Sequence, residues 1–461
     1  MREVCEKKNK AVLATDEGRV HDAERHNGNG ARHAPHINGV NGGAPQCHGS
    51  NGTASNGNGA NGSSSNGTLS TRNGTAMPDV QETVLAATQT ALLRKMPLST
   101  ALRQASAAGI AAGSDIQTAA HEAFYDCNGS MRQVDIMKSL GAIRVPMEAV
   151  EEQIEQLITT PVKVVGDMAA HTMSAGGKRL RPALTILAAQ LCGEDTKVPA
   201  QRTLLCAAAV ELMHTTALIH DDVVDSAAVR RGKPAANLIW GNETSVLVGD
   251  YLFAQVFVTV AQPEFVDLLP AMAQATSQLC AGELLETQTR GMLSMPEEQY
   301  CDIIALKTAA LTECACRLGG LAVFAAPERT ERLARFGREI GMAFQIVDDC
   351  FDVISTEGRV GKPVGNDIRE GDITLPMLRA MQVCSERDKE MLRAVVGKDP
   401  ISDEEVATAI QILRGCDAVE YSMSVAAGFV QSAKAQLDDF GNSAARAMMY
   451  DIADYTLSRD K

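Results

Sequence analysis

Two short acidic clusters carry the most chemistry in this chain. The first is Asp221-Asp222-Val223-Val224-Asp225 and the second is Asp348-Asp349-Cys350-Phe351-Asp352. In a helix, positions i and i+4 share a face, so Asp221 lies beside Asp225 and Asp348 beside Asp352. Three carboxylates within five residues repel one another, and near a core they are costly unless a cation sits between them. Hard divalent ions take oxygen ligands, and Mg²⁺ in particular uses one or two carboxylates plus substrate phosphates and water. One such cluster is compatible with a solvated helix end. Two copies, at 221 and 348, each closing an apolar helical run, point to bound divalent ions.

Basic residues stand close by. Gly176-Gly177-Lys178-Arg179-Leu180-Arg181-Pro182 is a glycine turn followed by three cations, and Arg230-Arg231-Gly232-Lys233-Pro234 follows the first acidic cluster. Arginine forks bind phosphate oxygens bidentately, and lysine supplies a point charge. Carboxylates and cations together suggest a diphosphate site, with one phosphate held through Mg²⁺ and another directly by Lys and Arg. No GxxxxGK(S/T) motif occurs, which excludes an ordinary P-loop nucleotide site.

The elements that must position these residues are helices. Val150, Ile154, Leu157 and Ile158 follow the spacing of one buried helical stripe. Apolar segments follow at 183–192, 203–220, 244–261, 268–289, 298–325, 329–353, 374–396, 403–414 and 417–457, with short Gly/Pro/Asn breaks between them. Period-two alternation bounded by turns is missing. This pattern predicts an all-α, large single-domain helical bundle over 145–461 rather than a βαβ array.

The N-terminal third reads differently. Residues 27–74 hold ten Asn, each followed by Gly, and almost no apolar side chains. Such a stretch cannot offset its ordering entropy, so 1–76 is expected to be a disordered tail. Residues 77–144, rich in Ala with some helical spacing, are expected to form a helical extension.

Composition narrows the function. Lys+Arg is 43 and Asp+Glu is 57, a net charge of −14, and the whole acidic excess falls on residues 131–461. An acidic body argues against nucleic-acid binding. No run approaches the ~20 apolar residues of a membrane span. No secretory or transit signal is visible, and the twelve cysteines are scattered without a CxxC, which fits reduced thiols in a cytoplasmic protein.

The motifs taken together resemble the trans-isoprenyl diphosphate synthases, and most closely their long-chain polyprenyl (octaprenyl/solanesyl-type) branch. The resemblance covers about residues 145–460. It rests on GGKRLRP at 176–182, HTTALIHDDVVD at 214–225, RRGKP at 230–234, GD at 249–250, GE at 282–283, KTA at 307–309, FQIVDDCFD at 344–352, GKPVGND at 361–367 and EGDITLP at 370–376. It implies the isoprenoid synthase fold, a homodimer and a Mg²⁺ cofactor of three ions. It implies that Lys178, Arg181, His214 and Arg231 hold isopentenyl diphosphate. Arg230, Lys307, Thr308, Gln345 and Lys362 would bind the allylic diphosphate, farnesyl or geranylgeranyl. Asp221, Asp225 and Asp348 would ligate the metal, with Asp222, Asp349, Asp352 and Lys307 completing the catalytic set. Many relatives have Lys where Asp372 stands.

Product length is expected to follow from residues one to two turns before Asp221, namely Ala217, Thr216 and Met213. Two of these are small and none is aromatic, so the expected product is a long all-trans chain of about C35–C50, suited to a quinone side chain. The alternatives are a geranylgeranyl (C20) diphosphate synthase, a class I terpene cyclase and a non-catalytic partner subunit. The second acidic cluster and GGKRLRP argue against a cyclase, and intact clusters argue against a partner subunit.

Overall fold

The computed structural model describes residues 134–194, 199–355 and 364–459. The expected tail, most of the 77–144 extension and Lys362 lie outside the described residues. The regular structure among the described residues is helical apart from one hairpin of two-residue strands.

Helix α1 (Ile136–Leu140) opens on Asp135, whose carboxylate accepts the Lys138 amide at 3.2 Å. Ile136, Leu140 and Ile143 are buried in the same apolar cluster as Phe336 and Ile340. The folded body therefore begins by Ile136, inside the segment set apart above as an extension. Burial of those side chains ties it there, and nothing in their immediate sequence neighbourhood reveals the surface that covers them.

The helices that follow are α2 (Arg144–Ile158), α3 (Lys163–Ser174), α4 (Leu180–Leu191) and α5 (Gln201–Val224). Helix α5 is buried nearly all round, with Ala207, Ala208 and Ala209 letting neighbours approach. It packs against α2, α4, α7 (Asn242–Val260, after the short α6, Ala236–Trp240) and α10 (Ala310–Ala322). By length and composition α5 and α7 are apolar enough to cross a bilayer, but α5 is mostly enclosed by the bundle and ends on the first acidic cluster.

Helix α8 (Leu269–Thr289) and α9 (Glu297–Ile304) lead to a π turn at Ala305–Ala309, and α10 continues from it. The apolar segment 298–325 is therefore not one continuous α-helix. One extra residue per turn re-aims Lys307 and Thr308, and such insertions concentrate at functional sites. Helix α11 (Pro327–Ile354) starts with Pro at its first position and packs on α10 and on α16 (Ala418–Gln436). The segment 374–396 is two helices, α13 (Leu375–Val383) and α14 (Glu386–Val395), preceded by the short α12 (Asn366–Glu370). Helix α15 (Asp403–Arg414) opens on a capping box, Ser402 bonding the Glu405 amide at 3.2 Å while Glu405 reaches back to the Ser402 amide at 3.0 Å. Segment 417–457 is likewise two helices, α16 and α17 (Ala444–Ser458).

Candidate active site

Helices α5 and α11 both end beside one cavity of about 420 Å³, and each brings one acidic cluster to it. Asp221 and Asp225 line it from α5 and Asp348 from α11. The other three cluster members do not line it. Asp222 is 1 % exposed and pairs with Arg230 Nε. Asp349 accepts Tyr300 Oη at 2.6 Å and Gln345 Nε2 at 2.8 Å. Asp352 accepts the backbone N–H groups of Gly365, Asn366 and Asp367 at 3.0–3.1 Å and so fixes the start of α12. The set expected to act in chemistry thus divides into three carboxylates that line the cavity and three that bond the residues around it; Asp352, although on the same helix face as Asp348, is taken up by the amides at the start of α12.

The RRGKP motif is a tight hairpin, β1 (Val229–Arg230) against β2 (Lys233–Pro234). Arg231 and Gly232 at its tip both have positive φ, 51° and 77°, the geometry of a type I′ turn. Two-residue strands are too short to show alternation, so the sequence reading missed them. The hairpin sends Arg230 and Arg231 to the cavity beside Arg181 of α4 and His214 of α5. Arg231 Nη1 also donates to the Gly176 carbonyl, joining the two basic motifs. Arg179 is withdrawn from any ligand, since it pairs with Glu151 at 2.8 Å and Glu211 at 2.7 Å. Lys178 does not line the cavity; its ammonium stands over the Tyr455 ring at 5.2 Å.

The electrostatics are those of a site waiting for charge. Arg181 Nε is buried without a hydrogen-bond partner, and burial lowers the pKa of its guanidinium. Burial, with the Arg181 and Arg231 cations adding to it, holds His214 well below its ordinary range and hence neutral. Burial pushes the Asp221 carboxyl up to about 6 against the pull of Lys307. A carboxylate so disfavoured gains most from a cation. Among the described residues no three acidic or ligating side chains are close enough to cage an ion. The donor set still fits Mg²⁺, which takes one or two carboxylates and completes its shell with phosphate oxygens.

Lys307 is gripped by two carboxylates, Glu283 of the GE motif and Glu286, to which the sequence reading gave no role. Its Nζ lies 3.2 Å from Glu283 and also bonds Glu286, both on α8. Their attraction raises the Lys307 pKa against the opposing effect of burial. Burial in turn pushes Glu286 up to about 7. The i, i+3 spacing from the GE motif was the available signal. Gly282 has a separate reason to be small. A Cβ there would lie 2.4 Å from the Lys307 backbone nitrogen. Gly282→Ala is therefore expected to push α8 off the π turn, lower activity at least about tenfold and cost roughly 1–3 kcal/mol of stability, checked by turnover and thermal melting.

Thr308 donates to Gln345 Oε1 at 2.7 Å, and Gln345 passes that order on to Asp349. Arg459, near the chain's C-terminus, bonds Asp348 at 2.7 Å and stacks on the Phe344 ring at 3.6 Å. It was also missed, because a residue 111 positions from Asp348 gives no local sign of contact.

The apolar end of the cavity separates the three residues expected to set product length. Ala217 lines it, together with Leu218, Phe253, Leu279 and Leu311. Thr216 and Met213 do not; both are 0 % exposed and packed behind it. Positions four and five residues before Asp221 differ by 100° around the helix, enough to turn one inward to the core. Phe253, from α7, supplies an aromatic ring that the α5 sequence alone could not show.

Comparison with known proteins identifies the family. The Polyprenyl synthetase family matches residues 162–413. Over 332 residues the chain is 37 % identical to a short chain isoprenyl diphosphate synthase of Methanothermobacter thermautotrophicus, covering 70 % of this chain and 100 % of the relative. Over 320 residues it is also 37 % identical to nonaprenyl diphosphate synthase of Mycobacterium tuberculosis, covering 69 % and 93 %. The crystal structure of a polyprenyl synthase from Caulobacter crescentus, complexed with calcium and isoprenyl diphosphate, superposes with a TM-score of 0.68 at 33 % identity, over 72 % of this chain and 99 % of that one.

Proposed function

The chain belongs to the polyprenyl synthetase family and is a prenyltransferase of isoprenyl diphosphates, and from that premise we propose that it condenses isopentenyl diphosphate with farnesyl or geranylgeranyl diphosphate into a long all-trans chain. The carrying observation is that one cavity is faced by Asp221, Asp225 and Asp348 and by the cations Arg181, Arg230, Arg231 and Lys307. Two separate anionic groups can be held there at once.

Arg181 and Arg231, with neutral His214 on the same lining, hold the diphosphate of isopentenyl diphosphate, joined by Lys178 on the strength of its motif. Lys307, Arg230, Thr308 and Gln345 face the allylic diphosphate, joined by Lys362 on the strength of its motif. Asp221, Asp225 and Asp348 would hold Mg²⁺, proposed as three ions, which would supply Lewis-acid stabilisation of the leaving group. Lys307 and Arg230 stabilise the charge that grows as the allylic C–O bond breaks. The double bond of isopentenyl diphosphate attacks the allylic cation, and a proton passes to the released diphosphate. Leu218, Leu279 and Leu311 keep water from the cation. Asp222, Asp349 and Asp352 act by positioning Arg230, Gln345 and α12.

Small Ala217 on the wall supports a product of about C35–C50, fit for a quinone side chain. The Phe253 ring favours a second reading, a C20 product, and relatives named for short and for nonaprenyl chains are equally identical to this one. Incubating the purified chain with farnesyl diphosphate, isopentenyl diphosphate and Mg²⁺ and weighing the products decides between them. Products that stop at C20 reject the long-chain reading, and no condensation at all rejects both.

We also propose a homodimer. Helix α7 leaves Leu247 and Val258 about 60 % exposed with Val246 and Tyr251 beside them, an apolar face that suits a second copy. Light scattering of the full chain should give twice its mass of 49.0 kDa. The nine described cysteines are unpaired, which supports a reducing, cytoplasmic location.

A further inference from the structure

Arg290 follows α8 directly and has no part in the site described so far. Its Nε donates to Asp372 Oδ1 at 2.8 Å, and its Nη2 reaches Asp225 Oδ1 at 3.3 Å. The backbone beside it is also tethered, since the Gly291 N–H donates to the Gly371 carbonyl at 2.7 Å. Asp372 thus stands where it can aim the guanidinium at the first acidic cluster. The side chains of Arg290, Asp225 and Asp372 are 29 %, 25 % and 15 % exposed, so the bridge is partly open to solvent, and it reaches the cavity through Asp225, which lines it.

The two contacts are unequal. Charge-assisted N–H···O bonds run about 2.7–2.9 Å, so the bond to Asp372 is at full strength and the one to Asp225 is stretched. The guanidinium is anchored on Asp372 and only rests on Asp225. A divalent ion taking the Asp225 oxygen competes with Nη2 and turns it loose. The released donors would stay held by Asp372 beside Asp225, where an anion completing that ion's shell would meet them. A planar fork with donors left over after one carboxylate contact suits a diphosphate.

We propose that Arg290 is a further diphosphate-binding residue, with Asp372 its positioning partner, and that it guards Asp225 while no ion is bound. The position 372 departure noted in the sequence then has a use. The carboxylate brings in a cation from α8 instead of supplying one itself. This inference rests on the reading of the cavity as a Mg²⁺-diphosphate site.

The test uses the full chain and inorganic diphosphate, titrated calorimetrically in Mg²⁺, with Mn²⁺ binding alone followed by paramagnetic resonance. Arg290→Ala should weaken diphosphate binding about tenfold, the effect of one lost charge-assisted contact. It should leave Mn²⁺ binding unchanged or tighter, because a competing cation has gone. Arg290→Lys should keep part of the diphosphate affinity and Asp372→Asn should lose part of it, with the melting temperature reporting that each variant is folded. Unchanged diphosphate affinity in Arg290→Ala overturns the proposal. So does an equal loss of Mn²⁺ and diphosphate affinity, the mark of a residue that merely braces Asp225. If the parent chain itself binds no diphosphate in Mg²⁺, the reading of the site fails instead.

Discussion

Asp221→Asn and Asp348→Asn are each expected to lower turnover by about a hundredfold to a thousandfold, the effect of removing one group that stabilises charge growing in the transition state. Both carboxylates face the cavity from opposite helices, so each substitution removes oxygen ligands without emptying space. Steady-state kinetics with saturating Mg²⁺ checks this, and near-normal turnover in either variant rejects the assignment. Asp352→Asn should behave differently. Its oxygens fix three backbone amides at 365–367, so it should lower the melting temperature more than it lowers turnover per folded molecule.

Asp221→Asn carries a second, opposite expectation. Burial raises the Asp221 carboxyl from its usual 3.8 to about 6 in the folded chain. The folded state therefore holds its proton more tightly than the unfolded state, and stability falls as pH rises from about 4 to 6. Above that window the full penalty of a buried carboxylate is present. Asparagine removes it, so the variant should melt higher than the parent at pH 7.5 in chelator and no higher at pH 4. The same residue then trades stability against chemistry. A variant that melts lower at pH 7.5 would show that Asp221 is not strained by burial.

The second large effect concerns product length. Ala217→Phe should shorten the main product to C15–C20 with condensation retained, because Ala217 lines the cavity and a ring there blocks the growing chain. Phe253→Ala should act the other way and lengthen the product, since its ring lines the same cavity as Ala217 and its removal opens space there. Thr216→Phe should not act as a plug. Thr216 is fully buried behind the wall, and overpacking there costs roughly 1–3 kcal/mol, read as a lower melting temperature. Mass spectrometry of the products separates these outcomes. If Ala217→Phe makes the parent's product, the α5 wall does not set length.

Local spacing made part of this protein readable. The helical bundle follows from apolar periodicity, and the pairing of Asp221 with Asp225 follows from i, i+4 geometry on one helix. Both are properties of a few neighbouring residues and need no knowledge of the partner helix. The division of each cluster into cavity-facing and wall-holding aspartates needed the packing, because it depends on which side of α5 and α11 meets Arg230, Tyr300 and the start of α12. The π turn that aims Lys307, the grip of Glu283 and Glu286 on it, and the Phe253 ring from α7 arise where helices distant in sequence touch. Arg459 on Asp348 and Arg290 between Asp225 and Asp372 are of the same kind. A chain's periodicity says which face of a helix is buried, but which side chain of another helix meets that face is decided by how the helices cross, and only the tertiary structure records it.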